Sequence, residues 1–225
     1  MKPGVVRASA GHAHSEGELR LDLRWLQWGR TLQALAQNGL AFCENPYDRE
    51  RYTKLQQVAS EIMSEYSGAD FSRVHNFYRY EQGYATPKVD VRAAVFRDNE
   101  VLMVREREDG RWSLPGGWAD VGDPPSGVAV REVWEESGFR AQAVKLIAVY
   151  DRDRRGHPPL PFHVYKVFFL CDLLEGSPSP NAECSEAAFF AEDNLPELSL
   201  TRVNEPELAR VFAHHRERSL PAEFD

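Results

Sequence analysis

Gly116-Gly-Trp-Ala-Asp-Val-Gly-Asp-Pro-Pro-Ser-Gly-Val-Ala-Val-Arg-Glu-Val-Trp-Glu-Glu-Ser-Gly-Phe139 is the stretch whose reading decides the fold. Asp123 has the chemistry of a helix N-cap, Pro124 suits the first helical position and Gly138 suits the end, so a helix is predicted over Pro124 to Ser137. Glu132, Glu135 and Glu136 stand three and four residues apart, which separates their directions by only about 40 to 60 degrees and puts three carboxylates on one face. Like charges so placed repel at a cost of a few tenths of a kcal/mol each, and a divalent ion reverses the sign. Magnesium takes octahedral oxygen ligands and keeps part of its shell for water and phosphate, which suits such a cluster facing a cleft. Val128, Val133 and Phe139 lie opposite and can seat the helix on a sheet.

Gly117, Asp123 and Arg131-Glu132-Val133-Trp134-Glu135-Glu136-Ser137-Gly138-Phe139, with five and seven residues in the gaps, resemble the Nudix box, a long and specific signature. Asp123 departs from the family's usual Glu, which puts a bracing contact in doubt more than the catalysis. The resemblance implies that Glu135 and Glu136 bind metal and that Glu132 is a further ligand or orients water. It also implies that Arg131 positions the glutamates and that the Gly117 carbonyl is another ligand. The implied fold is an α/β/α sandwich with a mixed sheet. The implied reaction is cleavage of the diphosphate bond of a nucleoside diphosphate-X, with Mg2+ as cofactor and Mn2+ as the alternative. GYATPKVDVRAAVF, WSLPGGWADVG, AVYDRDRRGHPP and HVYKVFFLC look like the subgroup of CDP-choline and ADP-ribose pyrophosphatases, so CDP-choline is expected first and ADP-ribose second. Two other readings stand beside this one: an RNA 5′-end pyrophosphohydrolase or exonuclease, and a nucleotide sensor that no longer hydrolyses.

Outside the box, Arg92 on a predicted strand, Arg105 after the next strand, and Arg152 and Arg154 in a basic loop with Arg155 and His157 are candidates for substrate phosphates. Glu186, before the last predicted strand, resembles a position where the family places a substrate-contacting or basic carboxylate. Trp112, Trp118, Phe162 and Tyr165 are candidates to stack on a base, each equally suited to the core. His163 reads as a hydrogen-bonded structural histidine rather than a proton shuttle.

Toward the N-terminus, residues 1 to 17 read as a leader whose His12 and His14 are solvated. Leu19, Leu23, Leu26, Leu32 and Leu35, with Trp25 and Trp28, predict a helix from Glu18 to the Asn38-Gly39 stop. Leu55, Val58, Ala59, Ile62 and Met63 predict a second helix, capped by Asp48 and ended by Ser67-Gly68. These make a helical domain over 18 to 70, a polar linker over 71 to 87, a catalytic domain over 88 to 218 and a tail over 219 to 225. The hairpin is too small to bury both stripes alone, which points to a homodimer through these helices or to packing on the catalytic domain. Within that domain strands are predicted at Val89 to Phe96, Val101 to Val104, Val144 to Tyr150, Phe162 to Cys171 and Ala187 to Ala191, with Asp98-Asn99 as a hairpin turn. A last helix is predicted over Glu205 to Arg216.

A formal net charge of −8 over 225 residues argues against a long nucleic-acid groove, so no DNA partner is expected, and RNA ranks below a small nucleotide. No apolar run approaches the roughly 20 residues of a membrane span, and the start lacks a secretory profile. The odd, scattered cysteines Cys43, Cys171 and Cys184 fit reduced thiols in a cytoplasm.

Overall fold

The computed structural model describes residues 24–225; the leader, its histidines and the predicted helical residues before Arg24 lie outside them. Two compact units divide the chain, Met1–Ala85 and Thr86–Asp225.

The first unit holds three helices, α1 (Arg24–Phe42), α2 (Pro46–Ser67) and α3 (Phe71–Tyr80). Helix α3 occupies most of what reads as linker. Its Val74 and Tyr78, one turn apart, are buried with Leu26, Ala59 and Met63, and Asp70 caps it by accepting from the Arg73 N–H at 3.0 Å. Gln33 and Gln56 both donate to the Tyr78 carbonyl, one of the carbonyls that a helix end leaves without a partner. Helix α1 runs through the expected Asn38-Gly39 stop. A Cβ on Gly39 would lie 2.4 Å from the Tyr52 ring, so this glycine serves close helix packing, and Asn38 instead accepts from the Ala85 N–H. Helix α2 begins before Asp48: Asn45 is the cap, accepting from the Tyr47 N–H at 2.8 Å, and Pro46 follows as first residue. Asp48 sits in the first turn, where a negative charge suits the helix dipole. Gly68, left-handed at φ 71°, ends α2 as expected.

The second unit is a mixed sheet covered on both faces. Its strands are β1 (Lys88–Arg97), β2 (Glu100–Glu106), β3 (Trp112–Ser113), β4 (Gly116–Trp118), β5 (Phe139–Asp151), β6 (Val164–Gly176), β7 (Cys184–Ala191) and β8 (Glu223–Phe224), and its helices are α4 (Pro125–Ser137) and α5 (Glu205–Arg216). Strand order is β3-β2-β1-β6-β5-β8, with β4 paired to β1 and β7 to β2. Strand β1 runs parallel to β6 and antiparallel to β2 and β4. Alternation along β1 sends Val91, Ala93 and Val95 into a core with Val128, Ala129 and Val133 of α4, and Ala94 and Phe96 into a second core with Leu208, Val211 and Phe212 of α5. Each of the valine, leucine and phenylalanine side chains among them, fully buried, contributes about 1.5–3 kcal/mol relative to exposure. This is the expected α/β/α sandwich.

Boundaries shift for local reasons. Pro125 restricts Pro124 to extended backbone, with ψ 141°, so α4 starts one residue late and Asp123 does not cap it. Strand β5 begins at Phe139, and its three register irregularities against β6 break the alternation that would have revealed its first half. Strand β6 starts at Val164 and extends to Gly176, and β7 starts already at Cys184. The supposed tail supplies β8, parallel to β5. Asp98, at φ 54°, opens the two-residue turn between β1 and β2.

Candidate active site

The two glycines of β4 let the helix carboxylates approach the sheet. Gly116 pairs with Arg92 across β1 and has φ 152°; a Cβ there would lie 2.0 Å from the Val91 carbonyl oxygen. Its N–H donates to Glu136 Oε2 at 2.8 Å. A Cβ on Gly117 would stand 3.1 Å from Glu132 Oε1, so that backbone lies against the second carboxylate. Seated through Val128 and Val133, α4 thus turns Glu132 and Glu136 inward, where they are 8% and 6% exposed.

Burial opposes negative charge on both carboxylates. Burial pushes Glu136 up to about 8, with Glu106 and Glu132 adding to the rise, while Arg92 and the Gly116 N–H oppose it. Burial raises Glu132 as well, aided by Glu135 and Glu183 and opposed by Arg131 and Arg92. Buried carboxylates with hard oxygen donors fit a divalent cation such as Mg2+.

Arg131 Nη1 lies between Glu135 Oε2 at 2.9 Å and Glu132 Oε1 at 3.0 Å, and its Nε is 3.5 Å from Asp123. Asp123 therefore braces the arginine instead of capping the helix. The three helix glutamates do not converge as spacing suggests: Glu135 is exposed and turned to Arg131. Among the described residues, the metal-capable groups with donor atoms within 4.8 Å of one another are Glu106 with Glu136 and Cys184, and Asp151 with Asp153 and His163.

Several other expectations change on folding. Arg92 is buried, held by Asp90 at 2.7 Å and by the Leu114 carbonyl, and its charge lies toward the carboxylates. Arg152 is also buried, donating to the Pro158 and Thr201 carbonyls, because the loop it belongs to folds inward. Arg155 lies over Tyr150 and bonds Asp225, and His157 is locked between Glu207 and the Leu200 carbonyl. Arg154 remains exposed, 3.8 Å from Asp151. Arg105 and Glu186 face each other across β2 and β7 and pair at 2.8 Å on the surface. Trp112 packs edge-on against Phe190, whereas Trp118, half-exposed, meets Phe162, and Tyr165 is part-exposed beside His163. His163 Nε2 is 3.0 Å from Asp151 Oδ1, the hydrogen-bonded setting expected of it.

Glu106 and Asp90 were not singled out in the sequence, and Cys184 was read there only as a reduced thiol outside any site. A signal existed for two of them: Asp90 lies two residues from Arg92 on one strand face, and Glu106 follows an apolar run on the face opposite Arg105. Cys184 offered none, because its place depends on how β7 pairs.

A family model described as the UDP-X-like, N-terminal oligomerisation domain matches residues 23–78, and the NUDIX domain model matches residues 86–213. A relative from Bacillus subtilis (strain 168), named "Putative ADP-ribose pyrophosphatase YjhB", is 41% identical over 92% of this chain and 100% of its own. A crystal structure titled as a UDP-X diphosphatase is 31% identical, covers 91% of this chain and 99% of that one, and superposes with a TM-score of 0.58. An ADP-ribose pyrophosphatase structure from Streptococcus suis 89-1591 is 40% identical over 62% of this chain and 100% of its own, also at 0.58. With the glutamate helix, the two glycines that admit it and the matched span in agreement, the chain belongs to the Nudix hydrolase family.

Proposed function

We propose that this protein is a magnesium-dependent pyrophosphohydrolase of nucleoside diphosphate-X compounds, yielding a nucleoside monophosphate and a phosphorylated X, with Mn2+ as the alternative ion. The observation that carries the reading is the approach of two buried carboxylates, Glu132 and Glu136, to the Gly116-Gly117 backbone. When bound there, the ion supplies charge neutralisation for a diphosphate and a more acidic water. Glu136 and Glu132 would hold it, with the Gly117 carbonyl and Glu135 as the further oxygen donors. Arg131 keeps Glu132 in place through its fork, and Asp123 keeps Arg131. Trp118 and Tyr165 offer exposed ring area for a base, with Phe162 half-buried against Trp118, and Arg105, Arg154 and Glu186 offer surface charges for the rest of the substrate.

The names of the relatives move ADP-ribose ahead of CDP-choline, with UDP-linked compounds alongside. The helical unit leaves Trp28 and Leu35 of α1 and Val58 of α2 exposed, which favours a homodimer through it, in line with the name of the matching domain. Three free thiols suit a reducing cytoplasm. The test is incubation with Mg2+ and a panel of ADP-ribose, UDP-sugars, CDP-choline and 5′-triphosphorylated RNA, with products separated by chromatography. Release of a nucleoside monophosphate from one nucleoside diphosphate-X is expected. Hydrolysis of RNA ends alone, or of nothing, overturns the proposal.

A further inference from the structure

We propose that Glu106, Glu136 and Cys184 form a binding site for a thiophilic divalent cation such as Zn2+, Co2+ or Cd2+, at the buried end of the carboxylate centre. One oxygen from each glutamate and the Cys184 sulfur lie within 4.8 Å of one another, and all three residues are buried. A tetrahedral zinc, with bonds of about 2.3 Å to sulfur and about 2.0–2.2 Å to oxygen, needs its ligands roughly 3.3–3.7 Å apart, a small closure from this span. Magnesium does not use sulfur, whereas a thiolate beside two carboxylates selects softer ions.

The thiol reaches this place through a specific irregularity. Arg105 pairs with Glu186, but Glu106 pairs with Cys184, so Ser185 is an extra residue that redirects the start of β7. Asn181 fixes the result: its side-chain oxygen accepts from the Cys184 N–H at 2.7 Å and its own N–H donates to the Cys184 carbonyl at 2.9 Å. The Asn181 amide also donates to the Glu135 carbonyl, which ties the cysteine to the last turn of α4. On the other side, Ser113 and Arg202 bond Glu106 at 2.8 and 3.1 Å. Burial and the surrounding carboxylates keep the thiol protonated without metal. Binding forms the metal–sulfur bond and releases the S–H proton to water.

Glu136 is shared with the proposed magnesium centre, and the assignment rests on that reading only to the extent that thiophilic ions then compete with Mg2+. The full-length protein, freed of metal by chelation, is titrated with Co2+ while the thiolate-to-cobalt charge-transfer band is followed. His12 and His14 contain no sulfur and give no such band. One equivalent developing the band is expected in the wild type, with no band in Cys184→Ser or Cys184→Ala and Zn2+ affinity at least about tenfold weaker in both. Absence of the band from the wild type, or its survival in Cys184→Ser, overturns the site. Should those variants not fold, X-ray absorption of the zinc-loaded Cys43→Ser protein decides: one sulfur at about 2.3 Å supports the site, and a shell of oxygen and nitrogen alone overturns it. Failure of Mg2+-dependent hydrolysis in the wild type counts against the proposed function and leaves these spectra unaffected.

Discussion

Glu136 is held at the protein's expense. The folded, metal-free molecule retains its proton up to about 8, whereas the unfolded chain releases it near the ordinary 4.5, so between these values the native state binds more protons. Its contribution to stability is therefore best below the lower value and is lost as pH rises toward the upper one. Glu136→Gln keeps an oxygen to accept the Gly116 N–H and removes the charge. In chelator-treated protein the variant should match the wild type near pH 5 and exceed it near pH 8 by on the order of a few kcal/mol, read from thermal unfolding. Turnover with Mg2+ should fall about 100-fold or more in the same variant, because a metal ligand is lost and no core packing is. The box spacing named Glu136 and Arg131 from sequence. Arg92 was legible as a charge on a strand, but its service to Asp90 and Glu136 was not, since only burial separates a cation that meets substrate from one that balances an acid.

At the level of elements, helix α4 and the two faces of β1 followed from periodicity, and the misplaced ends follow from local chemistry. Pro124-Pro125 delays α4, Asn45 outcompetes Asp48, and Gly39 is kept for the Tyr52 ring. Strand β8 is a tertiary product. Glu223 accepts from Tyr150 at 2.6 Å and from Arg210 at 2.8 Å and lies 3.2 Å from His214; against the effect of burial, these bonds lower its pKa to about 2. That stabilisation is fully present above the ordinary 4.5 and disappears as pH falls through about 2. Glu223→Gln should cost about 1–3 kcal/mol in urea unfolding near pH 7, with the gap narrowing as the solution is acidified. A constant gap across that range would mean the carboxylate charge is not what anchors β8.

For the molecule as a whole, a net charge of −8 keeps copies apart unless an apolar face draws them together. Trp28 and Leu35, each 54% exposed on α1, are such a face in the helical unit. Light scattering should give a dimer for the wild type, and Trp28→Glu with Leu35→Glu should weaken it about 100-fold or more, because large apolar anchors dominate interface energy. An unchanged mass at micromolar concentration would place the interface elsewhere. Among the described residues no helix is long and apolar enough to cross a membrane.

The amino-acid order by itself determined the acid-bearing helix and the run of strands, because these depend on spacing within one segment and on alternation along a strand, which local geometry imposes, while the family and its sandwich came from the resemblance of the box. Folding alone decided which charges face the centre: Glu135 turned outward, Arg92 and Arg152 were enclosed, and Glu106 and Cys184 arrived from β2 and β7. Those outcomes depend on strand pairing, one extra residue in β7 and the desolvation of groups far apart in the chain, and none of the three leaves a periodic trace.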